Sequence, residues 1–242
     1  RIIFAIPYET DFTLIGTTDQ DHPDPATKPE CTDEEANYLC QFASNYFERP
    51  VTLGDVVWRY SGVRPLYDDG ASSATAATRD YVLSLDGGQG APLLNVFGGK
   101  ITTYRRLAEE AVEKVMPEVG KGWTDTAPLP GGDFPVDGVQ SEIARLCEAH
   151  PYLSQAWAKR LVRAYGTDAA LVLGDASGPQ DLGPDFGATL TGREVDWLVD
   201  KEYAQAAEDI LWRRSKLGLR VAPEGVEALS AYLDTRTGAS EA

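Results

Sequence analysis

The chain has 242 residues, of which 43% are hydrophobic and 25% charged, and its 38 acidic and 22 basic residues give a formal net charge of −16. This composition is typical of a globular protein with one large domain or two modest ones, and no apolar run reaches the ~18 residues that cross a bilayer. A chain this acidic repels phosphate backbones, so we expect no nucleic acid among its partners.

The residues that most often build metal sites and disulfides are few and far apart. They are Cys31, Cys40, Cys147, His22 and His150. No CxxC or HExxH spacing occurs among them, which disfavours a zinc site or a disulfide framework and fits a reducing compartment. We therefore predict no metal, and a mechanism based on a metal or on a Ser-His-Asp triad has few residues to use.

The first hundred residues mostly have the alternating pattern of strands. Strands are predicted over 1–6, 12–18, 55–66, 79–85 and 92–97. A helix is predicted over 32–47, because Thr32 and Glu35 have the spacing of a capping box. The chain starts at Arg1 and its single methionine is Met116, so we expect it to be part of a longer protein.

The strand at 92–97 is nearly apolar on both faces, as expected for a strand that helices cover on both sides. Gly98 and Gly99 end it, and Thr102 or Thr103 is expected to cap the amphipathic helix that follows. This strand, turn and helix form a unit of α/β type. Neighbouring strands of that type are missing from the chain, so we expect the strand to be exposed, mobile or paired with another copy.

The second half is mostly helical and follows a linker rich in proline and glycine over 121–138. Helices are predicted over 141–150, 152–165, 191–216 and 225–234. Thr191 and Glu194 predict a second capping box, at the start of the third of these. From about residue 125 we expect one compact bundle, in which the apolar stripes of the second and third helices face each other. The stripes are Leu153, Trp157, Leu161 and Tyr165 on one helix and Val195, Leu198, Ala206 and Ile210 on the other.

Two arginines fall on the apolar faces of predicted strands. With a period of two, Arg64 shares a face with Trp58 and Tyr60, and Arg79 shares one with Tyr81. A guanidinium on an apolar face needs an anionic partner or water at the end of the strand. The partner is either a protein carboxylate or the phosphate of a ligand, which suits two planar donor forks. The candidate carboxylates are Asp68, Asp69 and Asp80.

The turn after the apolar strand carries Lys100 directly after its two glycines. Paired glycines let a ligand approach the backbone, and the start of a helix presents unpaired N–H groups and the positive end of a dipole. Together with Lys100, these groups favour negative charge at the carboxyl end of the strand, where α/β sheets bind ligands. Taken alone, the same pattern is more often a tight turn.

Six short motifs follow one another along the chain. They are IPYE at 6–9, IGTTD at 15–19, YSGVRPL at 60–66, TRDY at 78–81, FGGKITTYR at 97–105 and EDILWRRSKLG at 208–218. This ordered set resembles the FAD-dependent glycerol-3-phosphate dehydrogenases, which belong to the superfamily of D-amino-acid-oxidase-like flavoenzymes. The resemblance is dense up to about residue 122 and returns in the last motif.

The resemblance implies a mixed α and β fold in three parts. Residues 1–90 would belong to an antiparallel-sheet substrate domain, of which this chain holds a part. Residues 91–122 would be the last strand and helix of an FAD-binding α/β domain. Residues 123–242 would form an all-helical C-terminal domain.

The resemblance also implies roles for the residues singled out above. Arg64, Arg79 and Lys100 would bind the substrate, and Arg64 and Lys100 would also take part in catalysis. The FAD would be contacted by Gly98, Gly99, Lys100, Ile101 and Thr102. No dinucleotide fingerprint of the form GxGxxG occurs, so FAD is expected in the full-length protein and not in this chain alone, which would then be inactive.

The activity implied is the oxidation of sn-glycerol 3-phosphate to dihydroxyacetone phosphate by hydride transfer to FAD, with electrons passed on to quinone. The implied location is the cytoplasm, with peripheral association at the cytoplasmic membrane, and a homodimer is a further candidate assembly. Two alternatives stay open at this stage. One is a glycerol-3-phosphate oxidase that uses oxygen, and the other is a non-catalytic helical interaction module.

Overall fold

In the computed structural model the described residues are 3–24, 26–64, 66–67, 80–88, 90–120 and 122–238. The chain divides into two compact units, 1–125 and 126–242. Within the described ranges, the first unit holds two small antiparallel sheets and two α-helices, and the second unit is built almost entirely from helices. This confirms the predicted fold class, a mixed α and β part followed by a helical part.

The first sheet is a hairpin of β1 (Phe4–Tyr8) and β2 (Phe12–Gly16). Glu9 and Thr10 take left-handed φ angles of 46° and 73°, which lets the chain reverse within three residues. Both strands were expected from the alternating pattern. The hairpin confirms them with slightly different ends.

Helix α1 (Asp33–Ser44) begins at the predicted capping box. The backbone N–H of Glu35 donates to Thr32 Oγ1 (3.2 Å), and the backbone N–H of Thr32 donates to Glu35 Oε2 (3.0 Å). Two of the donors that a helix start leaves unpaired are thereby satisfied. The helix is held on the unit by its buried residues, Ala36, Cys40 and Ala43.

The predicted strand at 55–66 is wrong. A 3₁₀ turn covers Leu53–Asp55, and the described residues of 56–66 form no strand. The two-residue period does survive locally, because the rings of Trp58 and Tyr60 stack with centroids 4.8 Å apart. A strand also needs a partner for its backbone groups, and the alternating pattern says nothing about one.

The second sheet pairs β3 (Tyr81–Asp86) with β4 (Leu93–Gly98), and the register sets Tyr81 opposite Gly98. A 3₁₀ turn over Ile101–Thr103 then leads into α2 (Tyr104–Val115). These elements confirm the strand, turn and helix expected from the sequence. Three apolar side chains of β4 are exposed, as expected for this strand, namely Leu93, Val96 and Phe97. The pairing of this strand with another copy stays a prediction.

The second unit contains five α-helices and a short π-helical segment among its described residues. They are α3 (Val139–Ala149), α4 (Gln155–Tyr165), α5 (Ala169–Leu173), α6 (Gly192–Glu202), the π-helical segment Asp209–Arg214 and α7 (Pro223–Gly238). Three of the four predicted helices are confirmed in place, the one expected over 191–216 forms only in part, and α5 was not predicted. Its five residues are too few to show a helical period.

The third predicted helix, expected over 191–216, is broken after Glu202. Tyr203 takes a left-handed φ of 58°, and the Leu198 carbonyl accepts hydrogen bonds from the N–H groups of Tyr203 and Ala204. This geometry ends the helix and turns the side chain of Tyr203 to solvent. Ala206, which was predicted to lie on the buried stripe, is exposed for the same reason.

The buried side chains of the second unit form two clusters rather than the single predicted interface. Leu153 and Leu161 lie in one cluster with residues of α3 and α5, whereas Val195 and Leu198 lie in the other with residues of α7. Tyr165 packs against both clusters. The compact helical core is therefore confirmed, but the predicted facing of the two stripes is wrong.

A buried ion pair stands beside Tyr165. Arg160 Nη1 and Nη2 each donate to one carboxylate oxygen of Glu194, both at 2.7 Å, and Tyr165 Oη donates to the same carboxylate at 2.8 Å. Arg160 also donates to the hydroxyl and carbonyl oxygens of Thr189, both at 2.8 Å. Glu194 is only 1% exposed, and because its carboxylate is bound to Arg160 and Tyr165, it does not form the second predicted capping box. Thr191 occupies the N-cap position but makes no side-chain capping hydrogen bond.

Replacing Glu194 is expected to destabilise the second unit strongly, because Arg160 and Tyr165 would lose their buried partner. For Glu194→Gln we expect a loss of about 3 kcal/mol in the free energy of unfolding. Urea denaturation of the whole chain, followed by tryptophan fluorescence, measures this loss. The matched control is Glu208→Gln, which removes an exposed carboxylate paired with Arg213 and should cost less than about 1 kcal/mol. Equal losses in the two variants would contradict the role assigned to the buried pair.

Candidate functional site

The turn that follows β4 can be built only with glycine at its centre. Gly98 and Gly99 have φ angles of 67° and 98°, which other residues rarely adopt. A Cβ atom at Gly99 would also lie 3.3 Å from Cβ of Tyr81 and 3.6 Å from Cδ1 of Leu107. The backbone of this turn therefore lies directly on β3 and α2, and no side chain at Gly99 separates it from a neighbour.

Lys100 lies at the tip of the turn and is locked there by Thr103. The backbone N–H of Lys100 donates to Thr103 Oγ1 (3.2 Å), and that hydroxyl donates to the carbonyl of Lys100 (2.9 Å). The predicted cap is thus altered, because Thr103 bonds back to Lys100 and makes no side-chain bond to the first turn of α2. The backbone N–H groups of Ile101 and Thr102 open the 3₁₀ turn and have no partner within it by geometry.

The side chains around this turn combine positive charge with exposed apolar surface. Lys100 Nζ lies 3.9 Å from Asp80 Oδ1, and about half of the Lys100 side chain is exposed. Ile101 is 90% exposed, which is unusual for a β-branched apolar residue held in a fixed turn. A flat, partly apolar ligand with an acceptor group would find both kinds of contact here.

Tyr81, the first residue of β3, packs against the glycine turn. Its backbone pairs with β4, and its side chain packs under Gly99. The hydrogen bond between its hydroxyl and Glu110 raises the pKa of Tyr81 and ties β3 to α2. The start of β3 and the middle of α2 thus fix the position of the glycine turn.

Arg64 lies elsewhere in the first unit and differs from the prediction. It is half-exposed, and its Nη1 lies 2.9 Å from Asp19 Oδ1. The predicted placement on the apolar face of a strand is wrong, because no strand forms there. The expectation of an anionic partner is met by a carboxylate that the sequence did not single out. Arg79 lies outside the described residues.

Asp19 is held by its neighbour in sequence. Thr18 Oγ1 donates to Glu35 Oε1 at 2.6 Å, while the other oxygen of Glu35 closes the capping box of α1. The hydrogen bond from Thr18, followed by the one from the backbone of Thr32, lowers the pKa of Glu35. Helix α1 therefore fixes the segment that carries the partner of Arg64.

The segment that contains Arg64 also reaches the second sheet. The rings of Tyr67 and Phe97 lie in contact, with centroids 5.7 Å apart. Tyr67 follows Arg64 by three residues, and Phe97 precedes Lys100 by three. The structure thus brings together the two segments that carry Arg64 and Lys100.

Sequence reasoning missed Asp19 as the partner of Arg64 and considered Asp80 only as a partner of the two arginines. Asp19 and Asp80 each lie beside a predicted site cation, and both belong to motifs that were singled out, IGTTD and TRDY. Their place in those motifs was the available clue. One open groove, of about 440 Å³, is lined by residues of 47–55 and contains none of the predicted site residues.

Two kinds of feature are absent from the described part of the chain. No cluster of three or more histidine, cysteine or acidic side chains there has the arrangement to hold a metal ion. Among the same residues, no helix combines the length and apolarity needed to cross a membrane.

Comparison with known protein families accounts for most of the chain. Residues 1–105 match the family described as FAD dependent oxidoreductase. Residues 123–237 match the family described as the C-terminal domain of alpha-glycerophosphate oxidase.

Individual relatives extend over both parts. Glycerol-3-phosphate dehydrogenase of Pseudomonas aeruginosa is 44% identical over 97% of this chain and 46% of its own length. Aerobic glycerol-3-phosphate dehydrogenase of Escherichia coli is 41% identical over 96% of this chain and 47% of its own length. D-erythritol 1-phosphate dehydrogenase of Brucella abortus is 42% identical over 89% of this chain and 44% of its own length. The chain therefore spans about half the length of the curated relatives it matches.

The lowered pKa of Glu35 predicts a pH-dependent contribution to stability. A carboxylate whose pKa falls on folding stabilises the protein above its unfolded pKa of about 4.3, and this stabilisation is lost as the pH drops through the folded value. At pH 7, Glu35→Gln should therefore cost about 1 kcal/mol in the free energy of unfolding, and the difference from the unaltered chain should shrink below pH 4.3. Urea denaturation at several pH values measures it.

Glu34→Gln is the control for Glu35→Gln, since it removes a negative charge from the same first turn of α1. A difference between Glu35→Gln and the unaltered chain that stayed constant from pH 7 to pH 3 would contradict the assigned role of Glu35.

Proposed function

We propose that this chain, which belongs to the FAD dependent oxidoreductase family, is the C-terminal part of a flavoprotein. The full-length protein would oxidise sn-glycerol 3-phosphate to dihydroxyacetone phosphate. One observation carries the proposal above all, namely the glycine turn with Lys100 at its tip and unpaired backbone donors behind it. The names of two relatives, both glycerol-3-phosphate dehydrogenases, support the choice of substrate.

In this proposal the phosphate is bound by Arg64, Arg79 and Lys100. A guanidinium has five N–H donors in a planar fork, and the ion pair with Asp19 is recorded at Nη1 of Arg64. Donors therefore remain for phosphate oxygens. The half-exposed side chains of Arg64 and Lys100 are accessible to a small ligand.

The cofactor would be FAD, held by backbone groups of Gly98, Gly99, Lys100, Ile101 and Thr102. These residues fit a flavin ring, because the glycine pair permits close approach and the exposed side chain of Ile101 offers apolar contact. When bound, FAD supplies the acceptor for the hydride that leaves the secondary alcohol carbon. That the chain alone holds no FAD and has no turnover stays a prediction.

We propose that Lys100, together with Arg64, stabilises the negative charge that develops on the substrate during the reaction. Loss of the hydroxyl proton leaves negative charge on the substrate oxygen, and a cation beside that oxygen stabilises it. Lys100 and the N–H groups that follow it also favour an anionic group at the turn. Neither His22 nor His150 belongs to one of the motifs, so we propose that the proton goes to a base in the rest of the full-length protein or to a cationic residue of the pocket.

We propose quinone as the electron acceptor, at the surface of the cytoplasmic membrane, for an enzyme that is otherwise cytoplasmic. An oxygen-using oxidase is the second candidate, since the C-terminal family takes its name from alpha-glycerophosphate oxidase. A longer polyol phosphate is a further candidate substrate, because one relative is a D-erythritol 1-phosphate dehydrogenase. A homodimer is also part of the proposal.

A purely non-catalytic docking module is the weakest candidate. The second unit alone would suit that role, because it has its own core. It does not explain why the first unit holds a glycine turn with a cation beside exposed donors. That feature favours the flavoenzyme.

In the full-length enzyme, Arg64→Ala and Arg79→Ala should each impair the use of glycerol 3-phosphate. Loss of one charge-assisted phosphate contact corresponds to about 2 kcal/mol, or roughly a 30-fold drop in kcat/KM. Steady-state kinetics with glycerol 3-phosphate and with plain glycerol measure the effect. Arg59→Ala is the control, because it removes another exposed arginine that pairs with an aspartate. Equal losses with both substrates would contradict a role in binding phosphate.

The electron acceptor is tested by two assays of the full-length enzyme. Turnover should be fast with a soluble quinone analogue and slow with oxygen alone. Peroxide is measured in the second assay, because an oxidase would produce it at the rate of substrate oxidation. Rapid peroxide formation without added quinone would replace the dehydrogenase with the oxidase.

A further inference from the structure

We infer that Asp19 is a positioning residue for Arg64 and that the capping box of α1 holds it in place. This inference rests on the proposed function, in which Arg64 binds the phosphate of the substrate. It goes further by assigning a role to Asp19, Thr18 and Glu35, which do not touch the ligand in that proposal.

The contact between Asp19 and Arg64 is direct. Asp19 Oδ1 lies 2.9 Å from Arg64 Nη1, well within the distance of an ion pair. Arg64 lies in a segment without helix or strand. Regular secondary structure therefore does not fix the direction of its long side chain. The ion pair is therefore the described contact that restricts this side chain before a ligand arrives.

Asp19 can restrict Arg64 only if it is itself fixed, and the preceding residue provides this. Thr18 Oγ1 donates to Glu35 Oε1 at 2.6 Å. The second oxygen of Glu35 accepts from the backbone N–H of Thr32 at 3.0 Å, which closes the capping box. One glutamate thus caps the helix and anchors the segment that carries Asp19.

A carboxylate beside a phosphate-binding arginine has two opposing effects. It repels the phosphate, and it holds the guanidinium in one direction, which reduces the side-chain entropy lost on binding. Both Asp19 and Arg64 are about half-exposed, so water and salt weaken the repulsion. Because the contact of Asp19 is at Nη1, a phosphate can approach the guanidinium from another side, and we expect positioning to outweigh repulsion.

A second ion pair in the same unit provides the matched control. Arg59 Nη1 lies 2.5 Å from Asp33 Oδ1, and this pair is also exposed. It lies at the first residue of α1 and does not include Arg64. Asp33→Asn therefore removes a comparable charge and contact, but it leaves the side chains of Thr18, Asp19 and Glu35 in place.

The test is steady-state kinetics of the full-length enzyme with glycerol 3-phosphate and with plain glycerol. Asp19→Asn should raise KM for glycerol 3-phosphate about 3- to 10-fold while kcat changes less than about 2-fold, as expected for the loss of a half-exposed ion pair. Asp19→Glu should restore part of the affinity. Asp33→Asn should leave KM and kcat/KM unchanged with both substrates, and Asp19→Asn should lower kcat/KM less with plain glycerol than with glycerol 3-phosphate.

The double variant Asp19→Asn/Arg64→Ala shows whether Asp19 acts through Arg64. Its KM should equal that of Arg64→Ala within about 2-fold, because effects that pass through one residue are not additive. Thr18→Val provides a second route, since it removes the anchor while keeping Asp19, and it should raise KM in the same direction. Flavin absorbance and thermal melting show that each variant folds and keeps FAD.

Three outcomes would overturn the inference. They are an unchanged KM in Asp19→Asn, a lowered KM in that variant, and effects of Asp19→Asn and Arg64→Ala that multiply in the double variant. Failure of the proposed function looks different, because Arg64→Ala itself would then use glycerol 3-phosphate normally. The two failures are therefore distinguishable in one set of measurements.

Discussion

A Cβ atom at Gly99 would lie 3.3 Å from Cβ of Tyr81, and this close approach determines how the chain leaves β4. The sheet register sets Tyr81 opposite Gly98, so the turn must pass over the tyrosine with left-handed backbone angles. Thr103 then closes the turn, which leaves Lys100 and two backbone donors at its tip. The candidate site is therefore a consequence of backbone packing, to which the side chain of Lys100 adds charge.

Local sequence patterns predicted the elements well where local interactions decide them. The capping box of Thr32 and Glu35 formed as expected. The same pattern at Thr191 failed, because Glu194 is drawn into a buried pair with Arg160, a residue 34 positions earlier in the chain. A pattern of four residues contains no information about such a distant partner. The missing strand at 55–66 has the same cause, since a ladder depends on a partner strand far away in sequence.

The candidate site was predictable in its residues and less so in its geometry. The glycine pair and Lys100 were found from their spacing, and the structure places them in one tight turn. The predicted partner of Arg64 was a ligand or one of three other carboxylates, whereas the structure pairs it with Asp19. That choice depends on how β2 and α1 meet, which the sequence does not state. The roles of these residues toward substrate and FAD stay predictions.

The pairing of each described site cation with an aspartate has a consequence for the long-range electrostatic field of this chain. Arg64 beside Asp19 and Lys100 beside Asp80 are close to neutral when seen from beyond a Debye length, which is about 8 Å at physiological ionic strength. The chain as a whole carries a formal charge of −16, so its long-range field opposes an approaching phosphate ester. This chain therefore contributes repulsion rather than steering toward the proposed phosphate ester, and added salt would weaken that repulsion.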